Sequence, residues 1–414
     1  MGDLPRAARF FASLYADRAA RQYAARVRGD LPARLAMREG RLDPYPVYER
    51  VRERGTFVPN RFGGLATADH AVCDEILRSR RFGVQPAAWT YDPTDPELAG
   101  PSMLGANPPD HGRLRRVAAP AFGPRAIDSY RPLITKRIHE LVDAAEREGE
   151  FDFVARVASP LPIAVITSLL GIPGEHETEF VRYGMAIGGA LTGVRGIRHA
   201  RELQRADAAL DAIFTELVAL RRHEPGDDVI STIVAADELH PAELKPLCTL
   251  LLIAGFETTV NALGNAVLAF AAHPGEWERL VAEPSLATEA TEEVLRYDSS
   301  VQRTDRFSFD DTEIAGQPIS AGQNVQILIG GANRDPAVFE DPAHFDLTRP
   351  NASSHLSFSS GIHYCLGQPL ARLELAIALE ALATRLPRLR VSGRPRYRPS
   401  TLLRGPLRLP VAVG

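Results

Sequence analysis

The chain has 414 residues, of which 45% are hydrophobic and 24% charged, so it is long enough for one large globular domain or two average ones. Its formal net charge of −4 argues against a protein that binds nucleic acid. Lys136 and Lys245 are the only lysines, and neither follows a glycine, which excludes a P-loop nucleotide site.

The first 42 residues are predicted to form a helical extension ahead of a single domain that spans residues 43–414. This extension is rich in arginine and amphipathic, a composition shared by transit and interfacial segments, but we favour an ordinary leading helix. Prolines at Pro44 and Pro46 end it. The three cysteines, Cys73, Cys248 and Cys365, are odd in number and far apart, which fits a reducing cytoplasm better than a disulfide framework.

Two short strands around a turn are predicted at residues 56–58 and 64–67, and a helix at residues 71–79. The stretch from Phe82 to Gly105 is rich in Pro, Gly and Asp and exceeds the usual loop length, which predicts a functional loop such as a substrate lid. After it, Pro108 and Pro109 open a helix on which His111 and Arg115 share one face. The pair could bind one anion, although a solvated basic helix start is the favoured interpretation of this segment taken alone.

Helices are predicted at residues 126–148, 161–170, 175–187, 197–223 and 241–272. From Leu247 to Ala272 the last of these has no Lys or Arg, and Glu257 lies near its middle. A membrane span is the rival interpretation, but Glu257 would cost about 2 to 3 kcal/mol there and no second apolar span accompanies it. We therefore predict a buried core helix and no membrane span.

Within this core helix, the small residues Ala254 and Gly255 precede Glu257 and Thr258. A flat ligand could approach the backbone at the small residues, beside an acid and a hydroxyl that can handle protons. The alternative for Thr258 is a hydroxyl that bonds back to the carbonyl oxygen of Ala254.

From about residue 305 the pattern changes to short strands at 306–309, 312–314 and 323–329, which predicts a small sheet. Upstream of this sheet, Glu293 and Arg296 lie three residues apart on one helical face. The expected fold class is therefore mainly α with small β-sheets, an α+β protein without a doubly wound sheet.

Cys365 lies in a turn of small residues, Phe-Ser-Ser-Gly-Ile-His-Tyr-Cys-Leu-Gly, that runs from Phe358 to Gly367. A helix predicted at residues 366–386 would stabilise the thiolate with its N-terminal partial positive charge. Because no second Cys or His stands at zinc spacing, a lone thiolate suits an iron held by a porphyrin. A buried, unreactive cysteine is the alternative for this residue taken alone.

Together these segments resemble the cytochrome P450 family, specifically its soluble bacterial members, from about residue 43 to the C-terminus. The haem-binding signature of that family is filled by Phe358, Gly361, His363, Cys365 and Gly367. The oxygen-binding helix motif matches at Ala254, Gly255, Glu257 and Thr258, and the Glu-x-x-Arg motif at Glu293 and Arg296. Two departures are Ser359, where glycine is usual and where we expect a negative φ, and Ser300, where many relatives have proline and where we expect a looser backbone.

The resemblance implies haem b as the cofactor, with Cys365 as the axial ligand of the iron. It implies that Glu257 and Thr258 are catalytic and deliver protons during dioxygen activation, and that Phe358 shields the thiolate. Residues implied to hold the haem or its propionates are His111, Arg115, Arg306, His363, Gly361, Gly367, Ala254 and Gly255. Glu293 and Arg296 are implied to form a buried structural pair, in which loss of one partner would cost about 3 to 5 kcal/mol.

The implied activity is that of a monomeric monooxygenase that uses O₂ and two external electrons to hydroxylate a hydrophobic small molecule, as in secondary metabolism. The chain has no cysteine set for an iron–sulfur cluster, so ferredoxin and ferredoxin reductase are expected as separate partners, docking near Arg115, Arg116 and Arg372. The substrate pocket is expected to include the loop at 82–105, the Gly188-Gly189 region, and residues Val301, Gln302, Arg303, Leu402 and Leu403.

Three alternatives keep the fold but change the chemistry: oxidative aromatic or C–C coupling, a peroxide-driven peroxygenase, and a haem protein without turnover that acts in recruitment or sensing. Loss of the acid and the alcohol would be typical of the last two. Glu257 and Thr258 are both present, which argues against them. Coupling instead of hydroxylation stays open.

Overall fold

The computed structural model of the chain describes residues 6–60, 63–89, 103–188, 194 and 196–414, with side chains from residue 11 onward. The described helices are Arg6–Arg26 (α1), Leu31–Arg34 (α2), Arg38–Leu42 (α3), Tyr45–Arg54 (α4), His70–Arg78 (α5), Asp110–Ala118 (α6), Pro124–Glu148 (α7), Pro160–Leu169 (α8), Gly174–Gly188 (α9), Ile197–His223 (α10), Val229–Ala236 (α11), Pro241–Ala272 (α12), Pro274–Ala282 (α13), Ala287–Tyr297 (α14), Ile329–Ala332 (α15) and Gln368–Arg385 (α16). The described strands are Val58–Pro59 (β1), Leu65–Thr67 (β2), Phe82–Gly83 (β3), Glu150–Asp152 (β4), Thr304–Ser308 (β5), Thr312–Ile314 (β6), Gln317–Ile319 (β7), Asn324–Ile327 (β8), Arg390–Val391 (β9), Arg396–Tyr397 (β10), Pro406–Arg408 (β11) and Pro410–Ala412 (β12).

The long helix α12 is the centre of the core. It begins at a capping box, in which the N–H of His240 donates to Glu243 across 2.8 Å. By length and composition alone α12 could cross a membrane, but 72% of its most apolar stretch is buried inside the protein, as in a core helix. Helices α8, α9, α14 and α16 pack around it, so α12 positions any group that it carries.

The sheets are small and peripheral. The largest has the order β1-β2-β8-β5-β3, and within it only β2 and β8 pair in parallel. Strands β4, β12 and β9 form a second sheet, β6 pairs with β7, and β10 pairs with β11 as a C-terminal hairpin. The prediction of a mainly helical protein with small sheets is confirmed.

The predicted N-terminal extension contains three helices, α1 to α3, instead of one. Leu31 and Leu35 pack against Tyr48 and Val51 of α4 in one apolar cluster. In addition, Arg404 near the C-terminus donates to the carbonyl oxygen at position 42 across 2.7 Å. The extension is therefore packed onto the rest of the chain, and the domain boundary at residue 42 stays a prediction.

Predicted helix ends in the central region agree with the structure to within two residues, and α10 and α12 match at both ends. Around the predicted lid, β3 and a 3₁₀ turn at Met103–Gly105 are described. Residues 90–102 of that lid, and Gly189 of the second predicted pocket segment, lie outside the described residues.

Candidate functional site

Cys365 is held by a short loop just before α16. Its N–H donates to the carbonyl oxygen of Phe358 across 2.9 Å, after a 3₁₀ turn at Gly361–His363. Cys365 is solvent-accessible. The surrounding protein mass raises the pKa of the thiol, while the N–H groups of Gly367 and Gln368 lower it. These N–H groups point at the sulfur, as predicted for a turn that opens a helix.

The backbone of this loop differs from the expectation at Ser359. We expected a negative φ there, but Ser359 has φ +63°, in the left-handed region that Gly361 also occupies with φ +67°. The N–H of Ser359 donates to the carbonyl oxygen of Leu356 across 2.8 Å, which closes a turn at this residue. A non-glycine residue in this region costs about 1 to 2 kcal/mol. Gly361 itself cannot be replaced, since a Cβ there would lie 2.4 Å from the carbonyl oxygen of Leu77.

The predicted motif on α12 presents one open position. Ala254 is exposed although its neighbours on this buried helix are not, which indicates open space beside this turn. The hydroxyl of Thr258 donates to the carbonyl oxygen of Ala254 across 2.8 Å, the back-bond that the sequence left open. Gly255 serves a different contact, because a Cβ there would lie 2.8 Å from Ile166 of α8. Ala254 therefore borders open space, whereas Gly255 packs against α8.

Glu257 is 1% exposed and forms an ion pair with Arg398, whose Nη1 lies 2.7 Å from its Oε1. The angles fall outside hydrogen-bonding geometry, and neither carboxyl oxygen has a hydrogen-bond donor among the described residues. Burial raises the pKa of Glu257, and the positive charge of Arg398 opposes that rise. No sequence motif predicts a role for Arg398, which follows β10 in the C-terminal hairpin.

A basic cluster gathers the four residues predicted to hold propionates: His111, Arg115, Arg306 and His363. The rings of the two histidines lie 4.1 Å apart between centroids. Burial, together with nearby positive charges, lowers the pKa of His111 to about 4 and that of His363 to about 3. Nε2 of His363 is buried without a hydrogen-bond partner among the described residues. This arrangement suits carboxylates, which accept charge-assisted hydrogen bonds from such groups.

The pair of Glu293 and Arg296 is fully buried, with hydrogen bonds of 2.6 and 2.7 Å between the two side chains. Arg296 also donates 3.0 Å hydrogen bonds to main-chain carbonyl oxygens of Asn333, Pro342 and His344. These three acceptors belong to the irregular segment that leads to the cysteine loop. The pair therefore joins α14 to that segment.

Arg372 has a different environment from the one expected of a docking residue. Its guanidinium lies 4.6 Å from the ring centre of Phe358 and donates to Glu292 at 2.6 and 3.1 Å. Arg116 is 69% exposed in its side chain and is only 3.5 Å from Glu238. Arg372 therefore supports the cysteine loop, whereas Arg116 remains available on the surface.

The predicted pocket residues of the 300–303 segment separate into two groups. Val301 bridges to Leu403, and the N–H of Gln302 donates to the carbonyl oxygen of Leu402 across 2.8 Å. However, the side chain of Gln302 is buried and accepts a hydrogen bond from the hydroxyl of Tyr48 at 2.9 Å. The electrostatic neighbours of Arg303 are Asp305, Tyr48 and Arg21. Val301 and Leu402 therefore remain pocket candidates, while Gln302 and Arg303 face the N-terminal helices.

The backbone at Ser300 is tied down instead of loose, which corrects the expectation. Its hydroxyl donates to the carbonyl oxygen of Thr258 across 2.7 Å, and its own carbonyl oxygen accepts from the N–H of Arg404 across 2.8 Å. A serine hydroxyl can make the first bond, and a proline could not.

The residues present fit a haem group. A single accessible thiol, the open position at Ala254 and the basic cluster supply an iron ligand, space beside a helix and partners for two carboxylates. Among the described residues no group of three or more His, Cys, Asp or Glu side chains could hold a metal ion by itself. A porphyrin iron bound by Cys365 alone is therefore the metal chemistry that these residues support.

Comparison with known proteins gives the following matches. A family model described as Cytochrome P450 matches residues 190–391. The putative cytochrome P450 140 of Mycobacterium bovis is 38% identical over 408 residues, covering 94% of this chain and 93% of that protein. The structure of ligand-free CYP164A2 from Mycobacterium smegmatis has 38% identity and a TM-score of 0.84, covering 92% of this chain and 99% of that one. The structure of P450BioI in complex with hexadec-9Z-enoic acid ligated acyl carrier protein has 34% identity and a TM-score of 0.85, covering 91% and 100%.

Proposed function

Because this chain belongs to the cytochrome P450 family and is a cytochrome P450 monooxygenase with a haem-thiolate cofactor, we propose that it hydroxylates a hydrophobic small molecule of secondary metabolism in the cytoplasm. One observation carries the proposal: on the buried helix α12, exposed Ala254 lies one turn before Thr258, whose hydroxyl donates to its carbonyl oxygen, and Glu257 is the residue before Thr258. An exposed apolar residue therefore lies within one turn of α12 from an acid and a hydroxyl that can handle protons.

The haem, when bound, supplies the oxygen chemistry by activating O₂ for insertion of one oxygen atom into the substrate. The chain supplies the rest. Cys365 holds the iron, and the basic cluster of His111, Arg115, Arg306 and His363 binds the propionates. Phe358, 8% exposed next to the thiol, limits the access of water to the sulfur.

Proton delivery is the task of the acid and the alcohol. The carboxyl group of Glu257 carries the proton, and Thr258 passes it on through its hydroxyl. Oγ1 of Thr258 donates to the carbonyl oxygen of Ala254 and keeps lone pairs with which to accept a hydrogen bond from a water or an acid. The hydroxyl is thus held in place while it remains able to relay a proton.

The substrate is proposed to be apolar because the accessible pocket candidates, Ala254, Val301 and Leu402, are apolar. Arg303 is the one charged residue among the predicted pocket residues at 301–303 and 402–403, and its electrostatic neighbours are Asp305, Tyr48 and Arg21. The relative P450BioI is described in complex with a fatty acid carried by an acyl carrier protein, which is likewise a long apolar chain. These features support a hydrophobic substrate for the proposed hydroxylation.

The two electrons are proposed to come from a ferredoxin and its reductase. Arg116 on α6 is exposed beside the half-buried Arg115, whose field acts on the thiol of Cys365. An acidic ferredoxin docked there would lie close to the haem, and its association would weaken as salt increases. Arg116→Gln should therefore slow reduction and reduce its dependence on salt.

The experiment uses the haem-loaded protein, a ferredoxin, its reductase and isotopically labelled dioxygen with a panel of polyketides, terpenoids and fatty acyl compounds. Compounds that shift the Soret band are incubated, and the products are analysed by mass spectrometry. We expect one labelled oxygen atom in a hydroxylated product, and no product with Cys365→Ala. Dimeric or ring-closed products without added oxygen would instead show coupling chemistry and overturn the proposal.

A further inference from the structure

Three polar residues of α12, spaced four apart, lie on the face that meets the C-terminal hairpin of β10 and β11: Glu257, Asn261 and Asn265. The amide of Asn265 donates to the carbonyl oxygen of Arg404 across 3.1 Å. Oδ1 of Asn261 accepts from Nε of Arg398 across 3.1 Å, and Glu257 pairs with the same guanidinium at 2.7 Å. Each of these three residues is therefore connected to the hairpin.

Close packing fixes the hairpin against α12. A Cβ on Gly405 would lie 2.4 Å from Oδ1 of Asn261, and a Cβ on Gly264 would lie 2.5 Å from Pro406. The N–H of Arg398 donates to the carbonyl oxygen of Gly405 across 3.3 Å. Because both glycines allow this approach, the backbone at Arg398 has a defined position above the acid of α12.

The environment of the Glu257 carboxyl has two opposing parts. Its side chain is 2% exposed, whereas that of Arg398 is 17% exposed, so the side chain of Arg398 is partly accessible and that of Glu257 is not. Burial favours the neutral acid and Arg398 favours the carboxylate. The closest polar groups on the same helix, Thr258 and Asn261, carry no charge. A proton carrier needs a pKa suited to its task; burial moves the pKa of Glu257 upward, and Arg398 limits that rise.

We propose that Arg398 is a positioning residue that orients the carboxyl group of Glu257 and opens its route to solvent protons. The role rests on the proposed function, in which Glu257 delivers protons. In each proton transfer, the carboxylate of Glu257 takes up one proton from solvent water at the Arg398 side, and its ion pair with Arg398 loosens. The carboxylic acid then releases that proton on the Thr258 side and pairs with Arg398 again as a carboxylate. No electrons move in this step.

The first test measures the acid itself and needs no substrate. Infrared difference spectra of the haem-loaded protein across pH follow the carboxylic acid band, which is assigned by its loss in Glu257→Gln. Arg398→Gln should raise the midpoint of this titration by about one pH unit or more, a tenfold change in acidity. Arg398→Lys, which keeps a charge, should shift it less. Arg396→Gln changes an exposed arginine of β10, two residues before Arg398, and should leave it unchanged.

The second test measures product formed per reduced nicotinamide consumed, together with the solvent deuterium isotope effect. Arg398→Gln should lower this ratio several-fold and increase the isotope effect, while substrate affinity and the reduced-CO spectrum stay unchanged. An unshifted titration in Arg398→Gln, or loss of coupling in Glu257→Gln but not in Arg398→Gln, would overturn this inference alone. Unchanged coupling in Glu257→Gln would instead overturn the proposed proton role of Glu257 on which the inference rests.

Discussion

The hydroxyl group of Ser300 donates a 2.7 Å hydrogen bond to the main-chain carbonyl oxygen of Thr258. This bond joins the segment before β5 to the turn of α12 that contains Glu257 and Thr258. Ser300 is 6% exposed, so water cannot easily replace the bond if it is removed.

Ser300→Ala should therefore lower the free energy of unfolding by about 1 kcal/mol, the usual net contribution of one buried hydrogen bond. Chemical denaturation of the haem-loaded protein measures this change. Ser299→Ala removes a neighbouring hydroxyl that bonds to Val301 at 2.8 Å, and so serves as a control for loss of a local bond. If only Ser300→Ala also lowers coupling, the link to α12 has a functional role. Equal stability of Ser300→Ala and the parent would contradict the prediction.

Thr258→Ala should uncouple the enzyme, because it removes the hydroxyl that we propose relays protons but leaves the thiol and the basic cluster unchanged. We expect several-fold less product per reduced nicotinamide, more peroxide, and a normal haem content. Thr259→Ala is the matched control, since that hydroxyl is buried and lies 3.4 Å from the carbonyl oxygen of Gly255. Unchanged coupling in Thr258→Ala would remove Thr258 from the mechanism.

Glu293→Gln should destabilise the protein by about 3 to 5 kcal/mol, because it leaves the guanidinium of Arg296 buried with reduced compensation. Urea denaturation or, for poorly folding variants, the yield of protein with a reduced-CO band measures the loss. Glu289→Gln lies on the exposed side of the same helix and should change stability by less than about 0.5 kcal/mol. Equal yields of the two variants would show that the buried pair is dispensable.

Local patterns made the centre of this protein predictable. The apolar run and its capping residues place α12 between Pro241 and Ala272, and the three-residue spacing of Glu293 and Arg296 puts them on one helical face. The cysteine turn likewise follows from its small residues and the helix after it. In each case the physical cause acts over a few residues, so the sequence contains it.

Contacts between distant segments were not predictable in this way. No periodicity relates Arg398 to Glu257, and their ion pair exists because two glycines let the C-terminal hairpin approach α12. Ser359 has a positive φ, a conformation that serine disfavours, so its residue type predicted the wrong sign of φ. Arg372 is expected to assist ferredoxin docking, whereas in the structure it donates to Glu292 and lies against the ring of Phe358.

Arg372→Gln should lower the midpoint potential of the bound haem. The positive charge of Arg372 lowers the pKa of Cys365 and stabilises negative charge at the sulfur, so its removal disfavours the reduced, more negative state. We expect a shift of up to about 59 mV, a factor of ten in the reduction equilibrium for one electron. Spectroelectrochemical titration measures it.

The sign of this effect can be checked at the partner of Arg372. Glu292→Gln removes the carboxylate that neutralises the guanidinium, so the potential should move upward. Arg116→Gln, which alters an exposed charge, should leave the potential nearly unchanged because solvent screens it. Shifts of the same sign in Arg372→Gln and Glu292→Gln would show that packing, and not charge, controls the potential.

Glu374 on α16 should make stability depend on pH. It is 1% exposed, its Oε2 has no hydrogen-bond partner among the described residues, and burial raises its pKa well above the usual value. In the unfolded chain the carboxyl group releases its proton near pH 4.5, while the folded protein retains that proton to higher pH. The folded state therefore loses stability as pH rises above about 4.5 towards the folded-state pKa.

Glu374→Gln replaces the carboxyl group by an amide of similar shape that cannot ionise. Relative to the parent, this variant should gain thermal stability at pH 8, and the gain should shrink as the pH is lowered towards 4.5, where the unfolded chain of the parent also begins to bind the proton. Melting temperatures between pH 5 and pH 9 measure the difference. Glu380→Gln, which changes an exposed site on the same helix, is the matched control. A constant difference between Glu374→Gln and the parent at all pH values would mean that Glu374 has the same proton affinity in the folded and unfolded chains.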